Sequence, residues 1–345
     1  MTDDDSTDIT RRSLLAAAAG AGVAGTAGCS GIQTPSDIAA AASVEGNVGY
    51  FRGPAQVDPR ESTFVDARST EQYRAEHVYG ARHAPIGTLE TRQASDDGFV
   101  PDAEGMASAL GSIGIAPDDD VVVYGSSVGS RVTRVVFALK YLGHEGEISV
   151  LNGGYEAWSG RIGVGSRSHE SVAYDPDPRE DLVVTREWLA DRLGTFNADD
   201  GPGLVDVRPP EADLGAWQSD ALVASNARHG HLPGAVNVKW TGNIDGRELV
   251  EPGTLAELYF SRAGLSQSGT TVVYGQGNVN PTNTWLILRA LGAEDVRLYE
   301  GGFGEWANVD ADTRGRFPVE TKTSTVIETS GSVDSGTDGG FSCTG

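Results

Sequence analysis

The sequence predicts an α/β fold built twice in tandem, each copy a small parallel sheet flanked by helices. Three observations carry this. The segment Val121-Val122-Val123-Tyr124-Gly125 returns as Thr271-Val272-Val273-Tyr274-Gly275. Upstream of each, an apolar strand ends in charge: Phe64-Val65-Asp66-Ala67-Arg68 and Leu204-Val205-Asp206-Val207-Arg208. Downstream of each, a Gly-Gly-aromatic ending closes the unit, Gly153-Gly154-Tyr155 with Trp158 and Gly301-Gly302-Phe303 with Trp306. Short strands that are apolar throughout and alternate with helices belong to parallel sheets covered on both faces.

The elements follow in order. Residues 1–29 read as an export signal rather than as fold. Thr10-Arg11-Arg12-Ser13-Leu14-Leu15 precedes an Ala/Gly-rich run ending Thr26-Ala27-Gly28-Cys29. The run is too short and too weakly apolar for a stable membrane span. The paired arginines resemble a twin-arginine signal. The residues before Cys29 resemble a lipoprotein cleavage box, which makes Cys29 a candidate lipid anchor; cleavage nearby without lipid is the alternative. Residues 30–46 form a polar tether. The expected destination is the cell envelope, on the outer face of the cytoplasmic membrane, and one lipid group anchors only modestly there.

The first domain is expected over 47–162. Its 64–68 strand is followed by a helix that Ser69 caps. The 121–124 strand leads into a helix over 131–142, where Val132, Val135, Val136, Leu139 and Leu142 recur near 3.6-residue spacing. A strand over 148–151 follows. Residues 163–181 are Gly/Ser/Pro/Asp-rich and read as a linker. The second domain, 182–319, opens on a short helix capped by Thr185. It continues through the strands 204–208 and 271–274, a helix over 282–291 and a strand over 296–299. From Glu320 onward the composition is that of a disordered tail.

The chain has 345 residues, enough for two domains with real cores, and a formal charge of −23. Its lysines are Lys140, Lys239 and Lys322. Such an acidic surface disfavours nucleic acid and anionic lipid as partners. It fits adaptation to high salt, where screening removes self-repulsion. Cysteine occurs at 29 and 343, so no disulfide framework and no thiolate metal site is expected. The six histidines show no ligand spacing; His229 and His231 flank Gly230 in what reads as a loop. No metal and no cofactor is expected.

The second domain also carries Gly230-His231-Leu232-Pro233-Gly234-Ala235-Val236-Asn237, with a decayed copy, Gly80-Ala81-Arg82-His83-Ala84-Pro85, in the first. Together with the repeated strands, these motifs resemble the rhodanese family. Specifically, they resemble the two-domain sulfurtransferases acting on thiosulfate or 3-mercaptopyruvate. The resemblance covers about 47–318. It implies tandem rhodanese-like domains, a first domain that does no chemistry, and a loop after the 271–274 strand where the family holds a nucleophilic cysteine. There, inward-facing N–H groups and a helix N-terminus lower the thiol pKa and steady a persulfide. The implied partners are a small sulfur-containing anion and a thiophilic acceptor.

In this sequence the loop is Gly275-Gln276-Gly277-Asn278-Val279-Asn280, with glycine at the nucleophile position. The matching loop of the first domain is Gly125-Ser126-Ser127-Val128-Gly129-Ser130. Ser126 and Ser127 read as turn residues. Gly275, Gly277, Asn278 and Asn280 tolerate positive φ, so an anion-binding nest remains open to the second loop, as does a plain structural turn. Asp206 and Arg208 resemble the family's Asp-x-Arg element near the active loop and equally suit a structural ion pair. Arg228 beside His229 reads as surface loop, or as positive charge near the same mouth. The candidate sulfur is then Cys343. A tail of about 25 flexible residues has a root-mean-square reach of roughly 25–30 Å, so this thiol can return to Gly275. A catalytically silent protein that binds an anion or a partner is the competing expectation.

Overall fold

The structure is a computed structural model that describes residues 49–215, 226–321 and 325–327. The expected export signal, Cys29, the expected tether and Cys343 lie outside the described residues. In the first repeat, five parallel strands run in the order Phe51–Arg52, Ile148–Leu151, Val121–Tyr124, Thr63–Asp66, Arg82–His83. In the second, the order is Val183–Val184, Asp295–Tyr299, Thr270–Tyr274, Gly203–Asp206, Val236–Asn237, Thr325–Val326, again parallel. The duplication extends to register. Asp66 pairs with Tyr124, and Asp206 with Tyr274. The fully apolar strands are buried along their length because helices cover both faces.

Two differences from the sequence reading concern its linker and tail. Within the expected linker, Gly163 pairs antiparallel with His77, and Tyr174 is buried with its hydroxyl on His144 at 3.0 Å. Within the expected tail, Glu320 bridges to His231, and Thr325–Val326 adds the sixth strand to the second sheet. Val236–Asn237 would otherwise leave its outer backbone groups unpaired, so even a polar segment gains by docking there.

The repeats meet through their central helices, Ser130–Tyr141 and Pro281–Ala290. Phe137 and Trp285 pack edge to face with centroids 5.1 Å apart, an arrangement worth about 0.5–1.5 kcal/mol beyond area burial. The Thr133 and Thr282 hydroxyls share a hydrogen bond of 2.8 Å. Arg134 and Glu300, both fully buried, form a salt bridge of 2.8 Å across the repeats. One hydrophobic core runs through both halves, from Val123 and Phe137 to Trp285 and Val296.

The repeated Gly-Gly motif has a steric reason. Gly154 and Gly302 both have positive φ, +65° and +61°. A Cβ on Gly154 would sit 2.6 Å from the Gly125 carbonyl oxygen, and one on Gly302 would sit 2.9 Å from that of Gly275. The turn therefore presses against the start of each loop, and only glycine permits the approach.

Candidate functional site

Each candidate loop begins where a central strand ends. Gly275 is buried, Gln276 and Gly277 are half-buried, Asn278 is buried and Asn280 is exposed. The Phe303 N–H donates to the Gly275 carbonyl at 2.8 Å and the Gly304 N–H to that of Gln276 at 2.9 Å, which fixes the loop's first two carbonyls. The Gln276 amide exchanges two hydrogen bonds with Asn226, at 2.9 and 3.2 Å. The Asn278 amide donates to the Glu90 carbonyl of the first repeat at 2.9 Å and to Glu300 at 2.5 Å. Arg134 reaches the Asn278 carbonyl at 3.3 Å. The loop's side chains thus hold the loop in place and leave no reactive group among them.

The loop does not use its residues' tolerance of positive φ. None of Gly275, Gln276, Gly277, Asn278, Val279 or Asn280 adopts it. Asn280 is already helical and Pro281 occupies the first helical turn, so the chain enters the helix by a smooth right-handed path. A nest made by alternating right- and left-handed residues is absent from it. Thr282 and Asn283 donate their N–H groups to the Val279 and Asn280 carbonyls, so the helix start largely satisfies itself. The N–H groups of Gly277, Asn278, Val279 and Asn280 have no protein acceptor among the described residues.

Asp206 and Arg208 form a buried ion pair, in which Arg208 Nη1 has no hydrogen-bond partner among the described residues. Arg208 donates to both Asp206 oxygens, at 2.5–3.0 Å, and to the Gly230 carbonyl at 2.7 Å. Its guanidinium stacks over Phe303 at 4.0 Å. Burial pulls the Arg208 pKa down, but the Asp206 carboxylate outweighs it and the net shift is upward. The pair recurs as Asp66 and Arg68, with Arg68 over Tyr155 at 3.8 Å. Burial, reinforced by Asp206, raises the Tyr274 pKa well above its usual value, and its oxygen accepts from the Leu232 N–H at 3.1 Å. Arg228 is committed to structure: its guanidinium binds the carbonyls of Trp306, Ala307 and Phe317, and burial lowers its pKa. Among the described residues, no cluster of three or more histidine, cysteine or carboxylate side chains has metal-binding geometry.

The first repeat's loop differs in detail. Gly129 caps the Ser130–Tyr141 helix without any side-chain hydrogen bond. A cavity of about 320 Å³ opens over it, walled in part by Trp240 of the second repeat. Sequence reasoning missed this cavity, the Gln276–Asn226 pair and the Arg134–Glu300–Asn278 cluster. All three join residues far apart in the chain, and no local pattern marks them.

The Rhodanese-like domain family profile matches the chain twice, over residues 54–161 and 185–309. The chain belongs to the rhodanese-like family. Among curated relatives, the chain is similar to the thiosulfate sulfurtransferase of Azotobacter vinelandii, at 28% identity over 74% of this chain and 91% of that one. It is also similar to the thiosulfate sulfurtransferase of Corynebacterium glutamicum, at 33% identity over 64% of this chain and 72% of that one. Among solved structures, a 3-mercaptopyruvate sulfotransferase from Escherichia coli superposes on it with a TM-score of 0.60. That match has 25% identity and covers 73% of this chain and 98% of the other.

Proposed function

We propose that this rhodanese-like protein is an exported sulfurtransferase of the thiosulfate or 3-mercaptopyruvate kind, which takes a small sulfur-containing anion at the 275–280 loop. The observation that carries the reading is the unpaired set of N–H groups from Gly277 to Asn280, held at the end of a central strand in a chain whose relatives are named thiosulfate sulfurtransferases. Four backbone donors suit the oxygens of such an anion.

Gly275 stands where the resemblance places the family's thiol, and glycine cannot hold sulfur. Transfer then runs through Cys343. Its thiolate attacks the outer sulfur of thiosulfate. The S–S bond of the donor breaks, sulfite leaves with the electron pair, and Cys343 keeps a persulfide. Cyanide or another thiophile then takes the terminal sulfur and the thiolate is restored. Arg11 and Arg12 support export by the twin-arginine route, with Cys29 as the lipid anchor on the outer membrane face.

A second reading, a catalytically silent protein that binds an anion or a partner, is favoured by Gly275 itself. Mass spectrometry of the chain after thiosulfate exposure separates the two. An adduct of about 32 Da, one sulfur atom, on Cys343 supports transfer. So does loss of thiosulfate:cyanide activity in Cys343→Ser. An unmodified chain, or unchanged activity in Cys343→Ser, removes Cys343 from the reaction.

A further inference from the structure

We infer that the outer edge of the Ile162–Gly163 strand is a docking site for an extended acidic peptide, which joins it as a third strand. The inference is independent of any chemistry at the 275–280 loop. His77–Val78 and Ile162–Gly163 form a two-stranded antiparallel ribbon. The Tyr79 N–H donates to the Arg161 carbonyl at 3.0 Å, so Tyr79 and Arg161 are a hydrogen-bonded pair. Such pairs alternate along an antiparallel ladder, which makes Val78 and Ile162 a non-hydrogen-bonded pair. The Val78 N–H accordingly turns inward and donates to the Tyr124 hydroxyl at 3.0 Å. The Ile162 N–H and C=O therefore point away from the ribbon. Two residues on, the Val164 N–H and C=O make no hydrogen bond among the described residues. Two donors and two acceptors at alternate residues are the template that an incoming strand pairs with.

The side chains along this edge are open too. Ile162 and Val164 share one face of the ribbon and are 48% and 73% exposed, while Val78 on the same face is buried. Sheets commonly guard a free edge with an outward charge or a proline, and neither residue supplies one.

The opposite face sets the charge of the partner. Arg161 lies across from Tyr79, and its guanidinium sits 3.5 Å from the centre of that ring. The Arg167 guanidinium sits 4.7 Å from the same centre and donates to the Tyr79 hydroxyl at 3.4 Å. Both arginines are exposed, and neither forms a salt bridge with a described residue. The Arg167 hydrogen bond, followed by the charge of Arg161, pulls the Tyr79 pKa below its usual value. In a chain of formal charge −23, two unneutralised arginines on one tyrosine are a local excess of positive charge. The matching strand carries apolar side chains at alternate positions, for Ile162 and Val164, and carboxylates between them, for Arg161 and Arg167. A second copy of this chain fits worse, because self-pairing gathers four arginines at one edge and brings two negatively charged bodies together.

Fluorescence anisotropy of a blocked, labelled Gly-Glu-Val-Glu-Val-Glu-Gly peptide, titrated with the full chain at about 0.15 M salt, tests the site. Binding is expected, about tenfold or more tighter than for the same peptide with lysine in place of glutamate. Val164→Pro removes one outward N–H at an edge position where proline is tolerated, and it should abolish binding without lowering Tm. Val164→Lys keeps the N–H, sets a charge on the edge and should weaken binding likewise. The double variant Arg161→Gln, Arg167→Gln should bind about tenfold more weakly and lose the dependence on salt. The inference is overturned by no binding of the glutamate peptide, by equal affinity for the two peptides, or by full affinity in both Val164 variants. A native dimer in sedimentation that Val164→Pro dissolves would give the edge to a second copy and overturn it equally. So would peptide binding that appears only after removal of residues 328–345, which would give the edge to the chain's own tail. None of these measurements involves turnover, so this proposal and the sulfurtransferase reading fail separately.

Discussion

Placing a thiol at position 275 asks whether the second loop has the architecture for sulfur transfer. Gly275 does not use positive φ, so a side chain there meets no backbone strain. A Cβ would lie 3.0 Å from Pro281 Cδ, 3.4 Å from the Gly277 carbonyl oxygen and 3.5 Å from Val207 Cγ2. One neighbour must yield by a few tenths of an ångström. Overpacking of this size costs about 1–2 kcal/mol. Losing glycine's freedom in the unfolded chain returns about 0.4–1 kcal/mol. The net cost is about 1 kcal/mol, a fall in Tm of about 2–4 °C for a chain of this size. The unpaired N–H groups of Gly277 to Asn280 should then hold the new thiol's pKa below about 8.5, the value of a free cysteine. Gly275→Cys is expected to gain thiosulfate:cyanide transfer over the native chain, read as thiocyanate, with the sulfur adduct mapped to position 275. Gly125→Cys is the contrast: there a Cβ falls 2.7 Å from Val132 Cγ2 and 3.0 Å from the Ser127 carbonyl oxygen, so the stability loss should be larger. A folded Gly275→Cys chain with neither adduct nor added thiocyanate would refute the reasoning.

Two further predictions concern stability. Arg134→Met leaves the Glu300 carboxylate buried without its partner and should cost about 3–5 kcal/mol in urea unfolding; a loss under about 1 kcal/mol would show that the pair is dispensable. Burial lowers the His144 pKa, against the opposing pull of its hydrogen bond to the Asp119 carbonyl. A folded-state pKa below the unfolded value means the unfolded chain binds the proton better. The contribution of neutral His144 is therefore complete above its ordinary pKa of 6.5 and is lost as pH falls through the lower folded value. His144→Gln should flatten the fall in Tm between pH 7 and pH 5, and identical slopes for the two proteins would rule His144 out.

Much of this fold was legible because duplication prints the same pattern twice. The apolar strands, their Asp-x-Arg ends and the Gly-Gly turns are local features, and each depends on residues adjacent in the chain. What escaped depends on distance. Arg134 sits between Val132 and Val135 in a helix, where nothing nearby distinguishes it from a solvent-facing arginine; only Glu300 explains it. Thr325–Val326 lies in a polar stretch and is recruited by an open sheet edge, which composition does not reveal. At the loop, residue identity allowed positive φ. Asn280 and Pro281 instead commit the chain to the helix early, so glycine at 275 reflects room rather than torsion, and neither room nor torsion calls for glycine at 277.

Asn278 grips the Glu90 carbonyl, and Glu300 holds both Asn278 and Arg134. Cutting the chain between its repeats would strand a carboxylate and an amide in one fragment and a guanidinium in the other, each inside what had been core. Neither half can revert to a free-standing ancestor by deletion alone. The duplication has become a ratchet: having merged their interiors, the two copies are inherited, folded and lost together.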